Sequence, residues 1–147
     1  MGLVLDTGVF IRAERSGAVD FSPWADYGDA FISAITVSEL LVGVHHADSD
    51  TRRARRSAFV EAILARLPVL DFTTETARVH AGLFATLSQQ GRMIGAHDLI
   101  IAATALSHGC AVLITNVAEF ARVPGLEVLA PPLAPSTLDP PAPPSPS

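Results

Sequence analysis

The chain has 147 residues, of which 49% are hydrophobic, so it suits one globular domain with a substantial core and leaves little room for two. Its single cysteine, Cys110, excludes an intrachain disulfide and a cysteine-based metal site, and we expect it to fill the core. The net charge of −5 argues against indiscriminate nucleic-acid binding, and the N-terminus predicts neither a signal peptide nor a membrane span, so we expect a cytoplasmic protein.

The first half of the chain alternates between strands and helices. The apolar run Leu3–Leu5 predicts a strand that ends at Asp6, and a helix follows until about Ser16. Ala30–Ser33 predicts a second buried strand. We expect the next helix to start near Thr36, because residues 36–39 fit a capping box that ends in Glu39. A further helix is expected over about residues 51–66, with Ala58, Phe59, Ala62 and Ile63 as its buried stripe.

The second half continues the same alternation. Residues 69–72 predict a third strand, and Thr73 or Thr74 caps a helix that reaches roughly to residue 90. Its buried face is predicted to hold Ala77, Ala81, Phe84 and Leu87. Asp98 opens an apolar helix, a buried strand covers residues 111–114, and a last strand covers residues 126–129. We assign residues 1–130 to the domain and residues 131–147, which are rich in Pro, Ala and Ser, to a flexible tail.

Alternating apolar strands and helices indicate an α/β fold, with a parallel sheet covered by helices on both faces. Such sheets bind ligands beyond the carboxyl ends of their strands. Asp6 and Asn116 follow strands directly, and Glu39 and Asp98 reach the same edge from the first turns of helices. We therefore expect these four side chains to converge.

Converging carboxylates repel one another strongly in a partly buried cleft, and a bound divalent cation removes that repulsion. An all-oxygen set of ligands selects a hard ion such as Mg²⁺ or Mn²⁺. Such an ion activates a water molecule and neutralises the charge that develops on a phosphodiester. The sequence thus favours metal-dependent phosphodiester hydrolysis.

The span from Leu3 to about Leu129 resembles the PIN-domain nucleases, and within them the VapC toxins of bacterial toxin–antitoxin pairs. The matching segments are LVLDTGVFI at residues 3–11, ITVSELLVG at 35–43, GAHDLIIAA at 95–103 and LITNVAEF at 113–120. The resemblance implies a three-layer α/β/α fold with a central parallel sheet of about four to five strands. It also implies a Mg²⁺- or Mn²⁺-dependent endoribonuclease that cleaves tRNA or rRNA, forms a homodimer and is inhibited by a VapB-like antitoxin.

The resemblance also assigns roles to particular residues. Asp6, Glu39, Asp98 and Asn116 are the expected catalytic group, and Glu119 joins the three acids as an expected metal ligand. Asn116 stands where many family members carry an aspartate, so it brings an amide oxygen without a charge, and Glu119 is placed to compensate. Thr7 and Thr115 are expected to hold these groups in orientation.

Several of these residues have a structural alternative. Helix capping alone explains Asp98 and Glu39 when each is considered separately. His97 is either a ligand or proton carrier, or a neighbour that positions or merely flanks Asp98. Among the arginines, Arg12, Arg15, Arg52 and Arg53 are candidate RNA contacts. The arginine cluster at 52–56 is equally a phosphate-contacting patch or a solvated helix face, and docking of acidic antitoxin residues is a third possibility.

Two other functions are alternatives to the nuclease. An aspartyl-phosphate enzyme would use Asp6 as its nucleophile, but such enzymes rely on a lysine, and this chain has none. A degenerate PIN-like domain would bind RNA or a protein partner without catalysis. Metal-dependent RNA cleavage distinguishes this second rival from the nuclease.

Overall fold

Five short parallel strands form one sheet with the order β3-β2-β1-β4-β5. The computed structural model describes residues 2–16 and 28–131. The strands are β1 (Leu3–Leu5), β2 (Ala30–Ser33), β3 (Val69–Leu70), β4 (Ala111–Leu113) and β5 (Val128–Leu129). The helices are α1 (Thr7–Ser16), α2 (Ala34–His45), α3 (Asp50–Arg66), α4 (Thr74–Gln89), α5 (Ala96–Ser107) and α6 (Val117–Phe120).

The core lies on both faces of this sheet because successive strand residues point in opposite directions. Leu3 and Leu5 pack with residues of α1, α2 and α3 on one face. Val4 packs with residues of α4 and α5 on the other face, where Cys110 also belongs to the cluster of buried residues. The expected three-layer α/β/α fold with a parallel sheet is therefore confirmed, and so is the core position of Cys110.

Helix α2 begins earlier than the sequence predicts. Its N-cap is Ser33, the last residue of β2, whose hydroxyl accepts a hydrogen bond from the Thr36 backbone N–H at 3.3 Å. Thr36 is fully buried inside the helix, so the predicted capping box is wrong. Because the strand runs directly into the helix, Glu39 lies in the second turn of α2 rather than in the first.

Two predicted buried faces are partly wrong. In α3, Val60 is the buried residue, Phe59 and Ile63 are half-buried, and the predicted Ala58 and Ala62 are exposed.

In α4 the buried residues are Thr76, Leu83 and Leu87, whereas the predicted Phe84 is 52% exposed. The Thr76 hydroxyl bonds the Ser107 hydroxyl of α5 at 2.9 Å, so a polar contact between helices turns this face of α4 inward. The cap at Thr73 is confirmed, since its hydroxyl accepts from the Thr76 N–H.

The outer strands are shorter than predicted. β3 pairs with β2 only at residues 69 and 70, and Asp71 and Phe72 extend beyond the last strand pairing. β5 likewise has two residues. The proposed tail falls almost wholly on residues 132–147, outside the described residues. Within the described part of the chain, no helix has the length and apolar character needed to cross a membrane.

Candidate active site

Asp6 lies at the carboxyl end of the central strand and is 91% shielded from solvent, with 9% of its surface exposed. Its backbone N–H donates to the Leu113 carbonyl at 3.0 Å, which ties the residue to the end of β4. Burial raises the pKa of the Asp6 carboxyl, and the nearby charges of Glu39 and Glu119 raise it further. Hydrogen bonds from the N–H groups at the start of α1 act in the opposite direction.

Gly8 is required by the close approach of the segment that follows β4. A Cβ atom built at Gly8 would collide with the Thr115 hydroxyl and would lie 3.5 Å from an Asp6 carboxylate oxygen. Thr115 and Asp6, which the sequence places at one edge of the sheet, therefore lie close together. Gly8, which has no side chain, lies between them.

Glu39 is held from both sides by residues of other helices. The Thr7 hydroxyl donates to Glu39 Oε1 at 2.9 Å. On the other oxygen, His97 Nδ1 lies 3.5 Å from Oε2, and the His97 side chain is 57% exposed. His97 thus contacts Glu39, and its role as a ligand, a proton carrier or a positioning neighbour stays a prediction.

Asp98, Glu119 and Asn116 form the opposite side of the site. Glu119 Oε1 accepts from the Gly95 backbone N–H at 2.6 Å, and Oε2 accepts from Asn116 Nδ2 at 3.0 Å. The carboxylate of Asp98 lies close by, since a Cβ atom built at Gly95 would be 3.3 Å from Asp98 Oδ2 and 3.5 Å from Glu119 Oε1. Asn116 thus contacts Glu119 rather than one of the three predicted acids.

Burial and like charges raise the pKa of Asp98 to about 7. Burial is the larger cause, and the contact with Glu119 and the charges of Glu119, Asp6 and Glu39 add to it. A carboxyl group that is only partly buried shifts this far when other carboxylates are close. The structure therefore brings Asp6, Glu39, Asp98 and Glu119 within electrostatic reach of one another.

The chemistry of these side chains fits a hard divalent cation. All the donors are oxygens, and the mutual repulsion recorded in the raised pKa values is what such a cation relieves. Among residues 2–16 and 28–131, no three His, Cys, Asp or Glu side chains are already arranged around a single metal position. Glu39 and Glu119 accept hydrogen bonds from protein groups, and each of their oxygens keeps a second lone pair that a cation can use.

The four arginines predicted to contact RNA have different surroundings. Arg52 Nη1 pairs with Asp48 at 2.9 Å, and Arg53 Nη1 pairs with Asp50 at 3.0 Å, at the start of α3. Arg12 and Arg15 lie on α1, and of these two Arg15 lines a cavity beside Glu39. RNA contact by all four stays a prediction.

This cavity, of about 230 Å³, is also lined by Glu14, which the sequence does not single out, and by Arg56, which the sequence offers only as part of the arginine cluster at 52–56. Arg56 Nε lies 3.9 Å from Glu14 Oε1, and Arg56 Nη1 donates to the Gly43 carbonyl at 2.9 Å. The signal in the sequence is Gly43 itself, a glycine inside a predicted helix.

Comparisons with known proteins identify the family of this chain. Residues 3–126 match the PIN domain family. Ribonuclease VapC1 of Rickettsia felis is 41% identical over 129 residues, which cover 88% of this chain and 96% of that protein. The tRNA(fMet)-specific endonuclease VapC of Salmonella typhimurium is 39% identical over 98 residues, or 66% of this chain and 71% of that protein. In the structure of DNA-bound VapBC from Salmonella typhimurium, a chain with 30% identity superposes with a TM-score of 0.79 over 88% of this chain and 98% of its own length. This chain belongs to the PIN-domain family and, within it, to the VapC ribonucleases.

Proposed function

We propose that this protein is a Mg²⁺- or Mn²⁺-dependent endoribonuclease and the toxin of a toxin–antitoxin pair. One observation carries the proposal: Asp6, Glu39, Asp98 and Glu119 come from four separate segments and meet at one site, where burial and then the neighbouring charges raise the pKa of Asp98 to about 7. A fold has no structural need for such a cluster, because each buried or paired carboxylate makes the next one more costly.

In this proposal Asp6, Glu39, Asp98 and Glu119 hold the cation. When bound, the cation supplies a nucleophilic water at neutral pH and neutralises the charge that develops on the phosphodiester. Thr7 and His97 hold the two oxygens of Glu39, so this carboxylate has a fixed direction before the cation arrives. The Gly95 N–H and Asn116 hold Glu119 in the same way.

Asp98 also has a proton to lose. Burial and the neighbouring carboxylates raise its pKa to about 7, so Asp98 keeps its proton to a higher pH than an ordinary aspartate when no cation is present. A cation binds the ionised form and releases that proton. Metal binding by this protein should therefore acidify a weakly buffered solution.

The proposed substrate is structured RNA, and transfer RNA is the first class to test. A relative of this chain is named for cleavage of tRNA(fMet), and similar chains occur in VapBC complexes. We therefore propose a VapB-like antitoxin as the partner of this protein and a homodimer as its oligomeric state.

The test is cleavage of unfractionated bacterial tRNA and total RNA by the purified protein, with mapping of the new ends. We expect cleavage at few positions with Mg²⁺ or Mn²⁺, none in EDTA and none with the Asp98→Asn variant. RNA binding without cleavage under all of these conditions would instead favour a non-catalytic PIN-like domain. Growth arrest on expression, relieved by the product of an adjacent small open reading frame, tests the toxin assignment.

A further inference from the structure

The cavity beside Glu39 lies between α1, α2 and α3, outside the cluster of carboxylates but sharing one wall with it. Glu39 contributes to both, because its carboxylate faces Thr7 and His97 while its side chain also lines the cavity. Whatever occupies this cavity therefore lies directly next to the proposed reaction centre.

The walls of the cavity combine an apolar surface with two guanidinium groups. Ile11 and Phe59 provide apolar and aromatic surface, and Phe59 is only half-buried. Arg15 is exposed, and Arg56 is fixed by its bond to the Gly43 carbonyl and by its pairing with Glu14. An aromatic ring on which a base can stack, next to a guanidinium that can bind a phosphate, is the combination that single-stranded nucleic acid uses on proteins.

Gly43 is the second feature that needs an explanation. A glycine inside a helix costs stability relative to other residues, and a tight contact usually explains its presence. Here a Cβ atom would meet no protein atom within 4 Å. Packing within the chain therefore does not require a glycine, and its effect is to leave the cavity open next to Glu39.

We infer that this cavity is a subsite for one nucleotide of the RNA, next to the phosphodiester that is cleaved. The base lies against the apolar wall that includes Phe59, and Arg15 binds the adjoining phosphate. The volume of about 230 Å³ is below that of pockets for drug-sized ligands, so the cavity suits the base of one nucleotide and excludes a helix. This inference deepens the proposed function and rests on it for the position of the cleaved bond.

The test fills the cavity without touching the carboxylates. Gly43→Ala and Gly43→Leu place side chains of increasing size into the open space, and both residues favour a helix more than glycine does. Gly82 of α4 offers a matched control, because a Cβ atom there also meets nothing within 4 Å and the residue does not line the cavity. The Ala and Leu variants of both Gly43 and Gly82 should each have a melting temperature about 2 °C or more above that of the unchanged protein.

The readouts are binding of fluorescein-labelled bacterial tRNA with Mg²⁺ on an Asp98→Asn background, and KM and kcat for tRNA cleavage. We expect Gly43→Leu to weaken binding and raise KM by about tenfold, with a smaller effect of Gly43→Ala and none of the Gly82 variants. Arg15→Ala should weaken binding and lower its salt dependence, whereas Arg78→Ala, an exposed arginine on α4, should not.

Equal RNA binding by Gly43→Leu and Gly82→Leu would overturn the subsite. Normal RNA binding by Gly43→Leu together with loss of antitoxin binding would also overturn it and would assign the cavity to the antitoxin. Failure of the proposed function gives a different result. The unchanged protein would then bind RNA, and Gly43→Leu would weaken that binding, but no RNA would be cleaved. This result would support the subsite and refute the nuclease activity. If the unchanged protein binds no RNA, both are refuted.

Discussion

Asp98 and Glu119 place their carboxylates beside the same backbone position, since a Cβ atom built at Gly95 would lie 3.3 Å from Asp98 Oδ2 and 3.5 Å from Glu119 Oε1. Burial raises the pKa of Asp98 to about 7, and the contact with Glu119 and the charges of the neighbouring carboxylates add to the shift. Without a cation, Asp98 therefore keeps its proton to a higher pH than an ordinary aspartate does.

The first prediction concerns stability as a function of pH in EDTA. The pKa of Asp98 is higher in the folded chain than in the unfolded chain, so the folded state binds more protons between pH 4 and 7. Stability should be highest at the acidic end of this range and fall as the pH rises through about 7. After allowance for the exposure of Asp98, we expect a loss on the order of 1 kcal/mol.

Urea denaturation in EDTA at several pH values measures this slope. Asp98→Asn lacks the titrating group, so its stability should vary less between pH 5 and 8 and should equal or exceed that of the unchanged protein at pH 8. An unchanged slope in this variant would show that another group is responsible.

The second prediction separates catalysis from folding. Asp6→Asn, Glu39→Gln and Asp98→Asn each preserve the shape of the side chain and remove one charge from the proposed cation site. RNA cleavage should fall by about 100-fold or more in each variant, whereas stability in EDTA should hold or rise because repulsion is relieved. Cleavage assays and calorimetry on the same preparations provide both values. Full activity of Asp98→Asn would contradict the proposed site.

The third prediction concerns the hydroxyl that orients Glu39. Thr7→Val removes the donor to Glu39 Oε1 but keeps the size of the side chain, and Thr7→Ser keeps the donor. We expect Thr7→Val to lower kcat by about tenfold, with Thr7→Ser close to the unchanged protein. Equal kcat for both variants would mean that the 2.9 Å contact does not matter for cleavage.

The fourth prediction tests the close approach at Gly8. Gly8→Ala should destabilise the protein by about 1–3 kcal/mol, because its Cβ atom collides with the Thr115 hydroxyl. Adding Thr115→Ala removes the colliding atom and should restore most of the loss. Thermal unfolding of the single and double variants provides the measurement, and additive effects of the two changes would contradict the contact.

The sequence predicts the end of β1 well because a buried parallel strand that stops at an acid is a local pattern, as at Leu5 and Asp6. It predicts helix faces less well. In α4, Thr76 is buried where its hydroxyl bonds Ser107 of a helix distant in the chain, and Phe84 is exposed. The local pattern of apolar residues contains no information on that partner helix. For the start of α2, a capping box at Thr36 is as good a local pattern as an N-cap at Ser33, so the sequence alone does not distinguish the two.

The contacts within the candidate site also depend on segments that are distant in the chain. The sequence places Asp6, Glu39 and Asp98 at one edge of the sheet, but the contact of Asn116 with Glu119 depends on how α6 lies against the loop at Gly95. In the sequence, Arg56 belongs to the arginine cluster at 52–56. Only the packing of α3 on α2 brings it to the Gly43 carbonyl. Contacts between distant segments therefore supplied what the sequence alone did not.

The position of β1 has a consequence for synthesis of the protein. The first strand to be made lies in the centre of the sheet, between β2 and a strand that starts at Ala111. The site also needs Asp98 and Glu119, which are made late. A growing chain that ends before these residues has one open side on its central strand and lacks half of the acids. The cluster of acids can therefore form only after almost the whole domain has been synthesised.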